Sequence, residues 1–171
     1  ALKLRCVEQV IPLPIEVWYP AAEAYAGQDT VDPTRDRYEL LPGFPRVTQD
    51  AVRDAAPRGG TYPLIAFSHG YGGHRRQTTF LCTHLASHGY VVAAVDHIGN
   101  TIVDVVQDML AAQMGRTPAD PQGIIRTSVE ARPKDASFLI DQVLAGAGGV
   151  AGLIDAERIG IAGHSFGGWT T

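Results

Sequence analysis

The sequence predicts an α/β fold with a mainly parallel sheet and flanking helices. Three short apolar runs, at residues 63–68, 90–96 and 159–162, have the length and composition of strands that are buried on both faces. Between the first two runs, the residues of one face recur at spacings of three and four over residues 75–87, which predicts a helix. Strand, helix and strand in this order form a right-handed crossover unit, and such units build parallel sheets.

Residues 2–7 and 15–19 predict two further strands near the start of the sequence. Residues 2–7 alternate between apolar and polar side chains, which is typical of a half-buried edge strand. From residue 21 to residue 61, Pro, Gly, Asp and Arg break up any regular pattern. We interpret residues 21–61 as a surface excursion that edges the site, with one short helix around residues 48–55.

Residues 97–132 carry a helical pattern with one broad apolar face. Two interpretations remain open for this segment. It forms either a helix packed on the body of the domain or a flap over an apolar acyl pocket, where methionine side chains would adapt to varied chains. Residues 132–135, Arg-Pro-Lys-Asp, predict the start of the next helix because Pro133 suits a first turn. We expect residues 1–171 to form a single, partial domain.

The composition argues against several classes of function. The formal net charge is −4, so the sequence offers no electrostatic case for binding nucleic acid. No apolar run approaches the ~20 residues that a transmembrane segment needs. The two cysteines, Cys6 and Cys82, are too few for a disulfide framework and lack metal-ligand spacing, so we predict that each is a buried small residue. Nothing indicates a metal, a cofactor or a compartment, and the start at Ala1 without a Met predicts a processed or trimmed terminus.

The most informative stretch is Gly163–Gly167, a G-x-S-x-G pattern directly after the strand predicted at residues 159–162. Such a strand-to-helix turn is tight, and small residues around the serine let the backbone make it. The turn would raise Ser165 Oγ above the sheet edge as a nucleophile, with the backbone N–H of Phe166 facing the same space. The alternative is a Gly-rich turn whose serine merely faces solvent.

A second Gly-rich turn, His-Gly-Tyr-Gly-Gly at residues 69–73, follows the strand predicted at residues 63–68. Because ligand sites of open α/β sheets form at the carboxyl ends of the strands, the two turns can share one site. When a serine hydroxyl attacks an ester carbonyl, the tetrahedral oxygen needs two positioned N–H donors. Phe166 would supply one donor, and the Tyr71 N–H is our candidate for the other.

The turn at residues 69–73 also has an alternative interpretation as a dinucleotide-binding loop. Gly70 and Gly72 match the start of the G-x-G-x-x-G pattern, and Asp96 ends the following strand, where a ribose-binding acid would lie. However, Arg75 occupies the third glycine position, which prevents close packing of the helix. We therefore favour the oxyanion-hole interpretation.

The order of residues along the chain bears on the general base. In this elbow architecture the acid and the base follow the nucleophile, yet only Phe-Gly-Gly-Trp-Thr-Thr follows Ser165. The sequence therefore predicts that no triad is completed in the usual order. We expect His69 and His164, which flank the two turns, to be packed and hydrogen-bonded. His97 follows a strand end, but the chain order weighs against it as the base.

Motifs along most of the chain resemble the α/β-hydrolase superfamily. More narrowly, the sequence is similar to the platelet-activating-factor acetylhydrolase group and its bacterial dienelactone-hydrolase-like relatives. True dienelactone hydrolases carry Cys at the nucleophile position, whereas this chain has Ser165, which favours a serine esterase. The segments that carry the resemblance are residues 17–20, 67–72 (Phe-Ser-His-Gly-Tyr-Gly), 85–94, 96–101 (Asp-His-Ile-Gly-Asn-Thr), 132–135 and 163–168 (Gly-His-Ser-Phe-Gly-Gly).

The resemblance implies an α/β-hydrolase fold and a metal-free, cofactor-free hydrolysis of lipid-like or small esters through an acyl-enzyme on Ser165. It also implies that Tyr71 and Phe166 provide the N–H groups of the oxyanion hole. Family members continue past the elbow with further strands, the acid and the histidine, so the chain resembles their N-terminal part, truncated after the elbow. By the same analogy five strands would lie in the order 1-2-4-3-5, which leaves residues 159–162 as an open edge.

We therefore expect a missing C-terminal segment or a partner chain to complete the sheet and the triad, and residues 1–171 alone to be close to inactive. The ligand of the active protein would be a small-molecule ester. The competing class of protein is a non-catalytic binding module that keeps the fold and uses the glycine turns as a ligand or partner surface. Within the hydrolases, a peptidase or an acyltransferase stays open.

Overall fold

The computed structural model describes residues 13–41, 43–116 and 120–171. The strand predicted at residues 2–7, and with it Cys6, lies outside these residues. The described residues form six strands and four α-helices. The strands are β1 (Ile15–Trp18), β2 (Arg35–Tyr38), β3 (Val47–Val52), β4 (Tyr62–Ser68), β5 (Val91–Val95) and β6 (Ile154–Gly163), and the helices are α1 (Thr79–Ser87), α2 (Ile102–Gln113), α3 (Pro121–Leu144) and α4 (Phe166–Thr170).

Four strands form the central sheet in the order β1-β5-β4-β6. β4 runs parallel to both β5 and β6, whereas β1 is antiparallel to β5. This order agrees with the arrangement predicted for the same four strands. Within the described residues β6 has one neighbouring strand, and its Ile159 and Ile161 are 37% and 38% exposed. In this part of the chain, β6 is therefore the open edge that the sequence predicted.

The centre of the sheet is β5, whose residues from Val91 to Val95 are all buried. On one face of the sheet Leu139 and Val143 of α3 pack against β4 and β5, and on the other face Cys82 and Ala86 of α1 do so. Burial raises the pKa of the Cys82 thiol to about 11, although Thr78 partly opposes the effect. The prediction that Cys82 is a buried small residue is therefore confirmed.

The excursion at residues 21–61 contains a β-hairpin. Residues 48–55, for which the sequence predicts a helix, mostly belong to β3, which pairs antiparallel with β2 in a separate two-stranded sheet. The helix prediction is wrong because β2 supplies the backbone hydrogen-bond partners that residues 48–52 would otherwise find within a helix. Burial of Gln49 then anchors β3 against the body of the domain.

The hairpin is attached to the central sheet by a cluster of Glu16, Asp36, Gln49, Arg53 and Arg76, which we call the hairpin cluster. Glu16 on β1 forms ion pairs with Arg53 and with Arg76, each at 2.7 Å. Asp36 on β2 binds Arg53 at 2.7 Å and accepts a hydrogen bond from Gln49 Nε2 at 2.5 Å. Both arginines in the hairpin cluster are therefore paired with carboxylates.

Helix α1 begins at Thr79, later than the predicted start at residue 75. The preceding residues are held outside the helix by ion pairs. Arg75 binds Asp96 through both its backbone N–H and its guanidinium, and Arg76 binds Glu16. The long-range ion pairs therefore decide where the helix begins.

Helix α3 begins at Pro121, so the prediction that residues 132–135 start a helix is wrong. The earlier start is capped, because the Asp120 side chain accepts a hydrogen bond from the backbone N–H of Gln122 at 3.1 Å. Pro133 lies inside the helix and removes one backbone donor there. Packing of the residues that follow, such as Leu139, keeps the helix continuous beyond the proline.

The segment at residues 97–132 contains α2 and the first half of α3. Helix α2 begins with a capping box in which Thr101 and Asp104 exchange hydrogen bonds. No residue of α2 is buried, and Met109 and Leu110 are 61% and 49% exposed. The predicted helix is present, and its use as a flap stays a prediction. None of the described helices has both the length and the apolar character that crossing a membrane requires.

Candidate active site

The turn after β6 presents a strained serine. β6 ends at Gly163, α4 begins at Phe166, and Ser165 lies between them with φ 52° and ψ −117°. A non-glycine residue at positive φ costs about 1–3 kcal/mol and persists only where its surroundings impose it. Because Ser165 is also exposed, the turn holds its hydroxyl at the edge of the sheet.

Two glycines impose this backbone conformation by allowing very close approach. A Cβ atom on Gly163 would overlap the carbonyl oxygen of Gly167, and a Cβ atom on Gly167 would overlap the carbonyl oxygen of Ser68. Neither position therefore tolerates a side chain without a movement of backbone. The first and last residues of the G-x-S-x-G pattern are glycines because α4 packs directly on the ends of β6 and β4.

The turn at residues 69–73 lies beside Ser165. A Cβ atom on Gly70 would lie 3.5 Å from Cβ of Ser165 and 3.1 Å from Nδ1 of His164. The backbone N–H of His164 donates to the carbonyl oxygen of Ser68 at 3.1 Å. The carboxyl ends of β4 and β6 therefore bring the two predicted turns to one place.

The N–H groups of Tyr71 and Phe166 have no hydrogen-bond acceptor among the described residues. Neighbouring amides are used; for example, the Gly72 N–H donates to the carbonyl oxygen of Asn100 at 3.2 Å. Backbone donors that lack a protein partner are free to bind water or a ligand. The two N–H groups that the sequence predicts for an oxyanion hole are thus both available.

A buried arginine, Arg132, lies behind the two turns. The sequence predicted it only as part of a helix start. Arg132 on α3 is 1% exposed, and its guanidinium donates to the carbonyl oxygens of His69 at 2.6 Å and Gly70 at 3.3 Å. It also donates to Oδ1 of Asn100, and its Cζ lies 4.5 Å from the centroid of the Phe166 ring. The spacing could have indicated that Arg132 is buried, because it precedes the core residues 136 and 139 by four and seven positions. Residues at these spacings lie on one face of a helix.

His69 is a fixed, neutral residue. Its Nε2 accepts the backbone N–H of His97 at 3.1 Å, so the proton of the neutral ring is on Nδ1, which donates to the Gly70 carbonyl oxygen at 2.7 Å. Burial lowers the pKa of His69 to about 4, against an opposing effect of the Gly70 carbonyl. The prediction that His69 is packed and hydrogen-bonded is confirmed.

The buried His97 side chain forms hydrogen bonds with one residue of β4 and one residue of α3. Its Nε2 lies 2.9 Å from Ser68 Oγ, and its Nδ1 lies 2.8 Å from Asp135 Oδ2. The distances match those of a Ser-His-Asp triad, but Ser68 and His97 are only 2% and 1% exposed, so a substrate cannot reach them. Because both ring nitrogens are engaged, His97 is not free to serve Ser165.

His164 is exposed, and its Nδ1 lies 3.4 Å from Nε2 of Gln77. The expectation that it is packed is wrong because the turn carries it to the edge of the sheet with Ser165. In the described part of the chain, no histidine or carboxylate forms a hydrogen bond with Ser165 Oγ. The base that would accept the serine proton is therefore not found among these residues.

The structure argues against dinucleotide binding at residues 69–73, because Asp96, the proposed ribose-binding acid, is bound by Arg75. Both carboxylate oxygens of Asp96 are occupied by Arg75, one by the backbone N–H at 2.6 Å and the other by the guanidinium. Asp96 is thus neutralised within the protein and does not present a free carboxylate to a ribose. Arg75, the residue that breaks the glycine pattern, is also the residue that binds the Asp96 carboxylate.

A separate cavity among the described residues lies away from the two turns. A cavity of about 550 Å³ lies beside β1 and the hairpin, with Trp18, Tyr25 and Arg53 in its wall, and it does not include Tyr71 or Ser165. Among the same residues, no group of three or more His, Cys, Asp or Glu side chains could hold a metal ion. The strained serine and the free N–H groups meet only at the two turns.

The chain is similar to known proteins over much of its length. The family described as platelet-activating factor acetylhydrolase, isoform II, matches residues 6–136. The chain belongs to this family. The match includes Tyr71 and Arg132 and ends before the turn that carries Ser165.

Individual relatives also match the larger part of the chain. A platelet-activating factor acetylhydrolase from Canis lupus familiaris is 31% identical over 74% of this chain and 35% of its own length. Cutinase est1 from Thermobifida alba is 31% identical over 65% of this chain and 29% of its own length. The chain thus spans less than half the length of these curated relatives.

Among solved structures, a ferulic acid esterase from Streptomyces cinnamoneus has a TM-score of 0.53 and 28% sequence identity, covering 95% of this chain and 55% of its own. Together with the mainly parallel sheet and its flanking helices, this similarity shows the α/β-hydrolase fold. The chain is a member of a family of hydrolases, and its relatives share the hydrolysis of esters.

Proposed function

We propose that the protein is a serine-dependent carboxylic ester hydrolase that acts through an acyl-enzyme on Ser165. The observation that carries the proposal is the positive φ of Ser165, which lies beside a turn whose Tyr71 N–H is free. Strained backbone of this kind concentrates at functional sites. A Gly-rich turn with an idle serine would not need this strain, and it would not need a second turn with a free donor beside it.

In the proposed reaction Ser165 Oγ attacks the carbonyl carbon of the ester and the carbonyl oxygen becomes an oxyanion. The N–H groups of Tyr71 and Phe166 donate to this oxyanion as it forms. The serine proton passes to a general base and then to the leaving alcohol, and water hydrolyses the acyl-enzyme by the same sequence. No step uses a metal or a cofactor.

We assign the general base and its acid to a further segment of the protein or to a partner chain. No described side chain binds Ser165 Oγ, and His97 is committed to Ser68 and Asp135. The relatives are longer than this chain, so residues that lie beyond the matched part could supply both groups. With a broken triad, an oxyanion hole and binding alone would leave only about 10³–10⁴-fold acceleration over water.

The substrate class that we propose is lipid-like or small esters. The names of the relatives, an acetylhydrolase, a cutinase and a ferulic acid esterase, have ester hydrolysis in common and differ in the acyl and alcohol groups. Met109 and Leu110 are exposed apolar side chains on α2, the helix that follows Asn100, whose carbonyl oxygen accepts the Gly72 N–H. Their exposure favours an apolar acyl group.

Labelling with a fluorophosphonate tests the proposal. We expect the intact protein to gain one phosphonyl group, located on Ser165 by tandem mass spectrometry, and to lose the reaction in the Ser165→Ala variant. The buried Ser68 is the internal control, because it also contacts a histidine but should stay unlabelled. An adduct that persists in Ser165→Ala would contradict the proposal. A folded protein that neither reacts nor hydrolyses esters would be a non-catalytic binding module.

A further inference from the structure

Arg132 is a buried cation, and no carboxylate of the described residues contacts its guanidinium. Its partners among the described residues are the carbonyl oxygens of His69 and Gly70 and the amide oxygen of Asn100. Burying a charge without a counter-charge is unfavourable for stability, so a stability role alone is a poor explanation of this residue. Every one of these partners belongs to a loop that frames the site.

The contact with Gly70 fixes the direction of the Tyr71 N–H. The carbonyl of Gly70 and the N–H of Tyr71 belong to one planar, trans peptide group, so they point in opposite directions. Three donors hold that carbonyl oxygen: Arg132 at 3.3 Å, His69 Nδ1 at 2.7 Å and the Gly73 N–H at 3.1 Å. With the oxygen held on the side of α3, the N–H is kept on the opposite side.

Arg132 also contacts the side chain of Phe166, the residue that carries the second candidate N–H donor. The guanidinium carbon of Arg132 lies 4.5 Å from the centroid of the Phe166 ring, within the range of a cation–π interaction. The same ring stacks on Trp169 at 5.9 Å, which fixes the first turn of α4. Arg132 therefore contacts the peptide group that carries the Tyr71 N–H, through the Gly70 carbonyl oxygen, and the side chain of Phe166, whose N–H is the second candidate donor.

The charge of Arg132 is present under ordinary conditions. Burial lowers its pKa to about 10, although Asp135 opposes the effect, so the guanidinium remains protonated near neutral pH. A positive charge behind the carbonyl oxygens orients the peptide dipoles with their N–H ends toward the site. An anion formed there would be attracted by this positive charge.

We propose that Arg132 is the positioning residue of the oxyanion hole: its guanidinium holds the peptide groups so that the Tyr71 and Phe166 N–H groups face the oxyanion. This inference rests on the proposed esterase function and adds a residue to it. Arg132 does not touch the substrate, so its removal should slow the chemical step and leave ester binding nearly unchanged.

The test compares Arg132→Lys and Arg132→Gln with Arg53→Gln in the intact protein. Arg53 is the control because it is also an arginine held by several acceptors, but its partners are Glu16 and Asp36 of the hairpin cluster rather than residues of the two turns. Each variant is first checked for cooperative thermal unfolding. We then measure kcat and KM for a p-nitrophenyl ester and for the matching thionoester, whose sulfur is a weak hydrogen-bond acceptor.

We expect Arg132→Gln to lower kcat for the oxoester by about 100-fold, with KM changed by less than about threefold. The preference for the oxoester over the thionoester should fall by about tenfold, because the thionoester gains little from the N–H donors in the first place. Arg132→Lys should recover part of the loss, since an ammonium reaches only one of the carbonyl oxygens. Arg53→Gln should keep both kcat and the preference.

A kcat within about threefold of the wild type in both Arg132 variants, or a lower kcat with an unchanged preference for the oxoester, would overturn the inference. Should neither variant fold, Phe166→Leu removes the cation–π contact from the other side and is expected to reduce the same preference. An unchanged preference in Phe166→Leu would also overturn it. Ser165→Ala separates the two claims: if that variant remains active, the proposed function itself fails.

Discussion

Buried or half-buried arginines stabilise two regions of the molecule, but their partners differ. We call the hairpin cluster beside β1 the hairpin end and the two turns after β4 and β6 the site end. In the hairpin cluster Arg53 and Arg76 are paired with the carboxylates of Glu16 and Asp36. At the two turns Arg132 is held by neutral carbonyl and amide oxygens. The hairpin cluster thus cancels its charge and connects strands, whereas no carboxylate of the described residues is bound to the guanidinium of Arg132. An unpaired cation is useful where an anion forms during a reaction.

The largest effect on stability should come from the site end, through Gly167. In Gly167→Ala the new Cβ overlaps the carbonyl oxygen of Ser68, so α4 must move away from β4. We expect a loss of at least about 4 kcal/mol in the free energy of unfolding, measured by urea titration. Gly160→Ala on β6 is the control, because a Cβ there has no neighbour within 4 Å. Equal stability of the two variants would show that α4 does not pack as described.

The hairpin end is broken by Glu16→Gln. This change removes the carboxylate that binds Arg76 among the described residues and leaves Arg53 with Asp36 alone, and Glu16 itself is 5% exposed. We expect a loss of about 3 kcal/mol in the free energy of unfolding, with labelling of Ser165 by a fluorophosphonate unaffected. Reduced labelling in a folded Glu16→Gln protein would mean that the hairpin cluster and the two turns are coupled.

Acid should weaken the two ends in different pH ranges. The pKa of His69 is lowered by burial from 6.5 to about 4, so the unfolded chain binds its proton first. The resulting stability loss develops as the pH falls from about 6.5 to about 4 and amounts to about 2 to 3 kcal/mol. His69→Asn should flatten this part of a curve of unfolding free energy against pH. A slope that persists unchanged in the variant would assign it to another group.

At the hairpin end the change comes at lower pH. Burial alone would raise the pKa of Asp36, but hydrogen bonds from Arg53 and Gln49 lower it below the ordinary value of 3.8. The stability that its ion pair contributes is therefore complete above pH 3.8 and is lost as the pH falls further. Asp36→Asn should remove this second, more acidic phase and leave the phase assigned to His69 in place.

The smallest effect should come from relief of strain at Ser165. Glycine adopts a φ of 52° without steric cost, so Ser165→Gly should gain about 1 kcal/mol in the free energy of unfolding while losing the nucleophile. Ser165→Ala keeps the Cβ and is the control that loses the hydroxyl without relieving the strain. If the two variants are equally stable, the strain at this position is smaller than the backbone angles imply.

The central strands were predictable because burial on both faces leaves a continuous apolar run, as at residues 63–68 and 90–96. The turn at Ser165 was predictable because its glycines are needed for close packing, which makes the pattern specific. Residues 48–52 were not, since their strand depends on pairing with β2, whose partner residues lie 11 to 17 positions away along the chain. Local patterns do not contain such long-range partners.

Arg132 shows the same limit within the site. Its sequence neighbourhood, with Pro133 next to it, indicated a helix start, and only the packing of α3 against two loops shows where its guanidinium lies. The nucleophile and the two N–H groups come from residues adjacent to strands, so spacing along the chain was enough to nominate them. A residue that acts from behind those groups is found only in three dimensions.

The most direct measurement is a crystal structure of the intact protein after reaction with a fluorophosphonate. We expect the phosphorus to be bonded to Ser165 Oγ, with the phosphoryl oxygen within about 3 Å of the backbone nitrogens of Tyr71 and Phe166. The Arg132 guanidinium should remain on the carbonyl oxygens of His69 and Gly70. A phosphoryl oxygen that points to solvent, or a Gly70 carbonyl that faces the adduct, would contradict the assignment of the oxyanion hole and of Arg132 together.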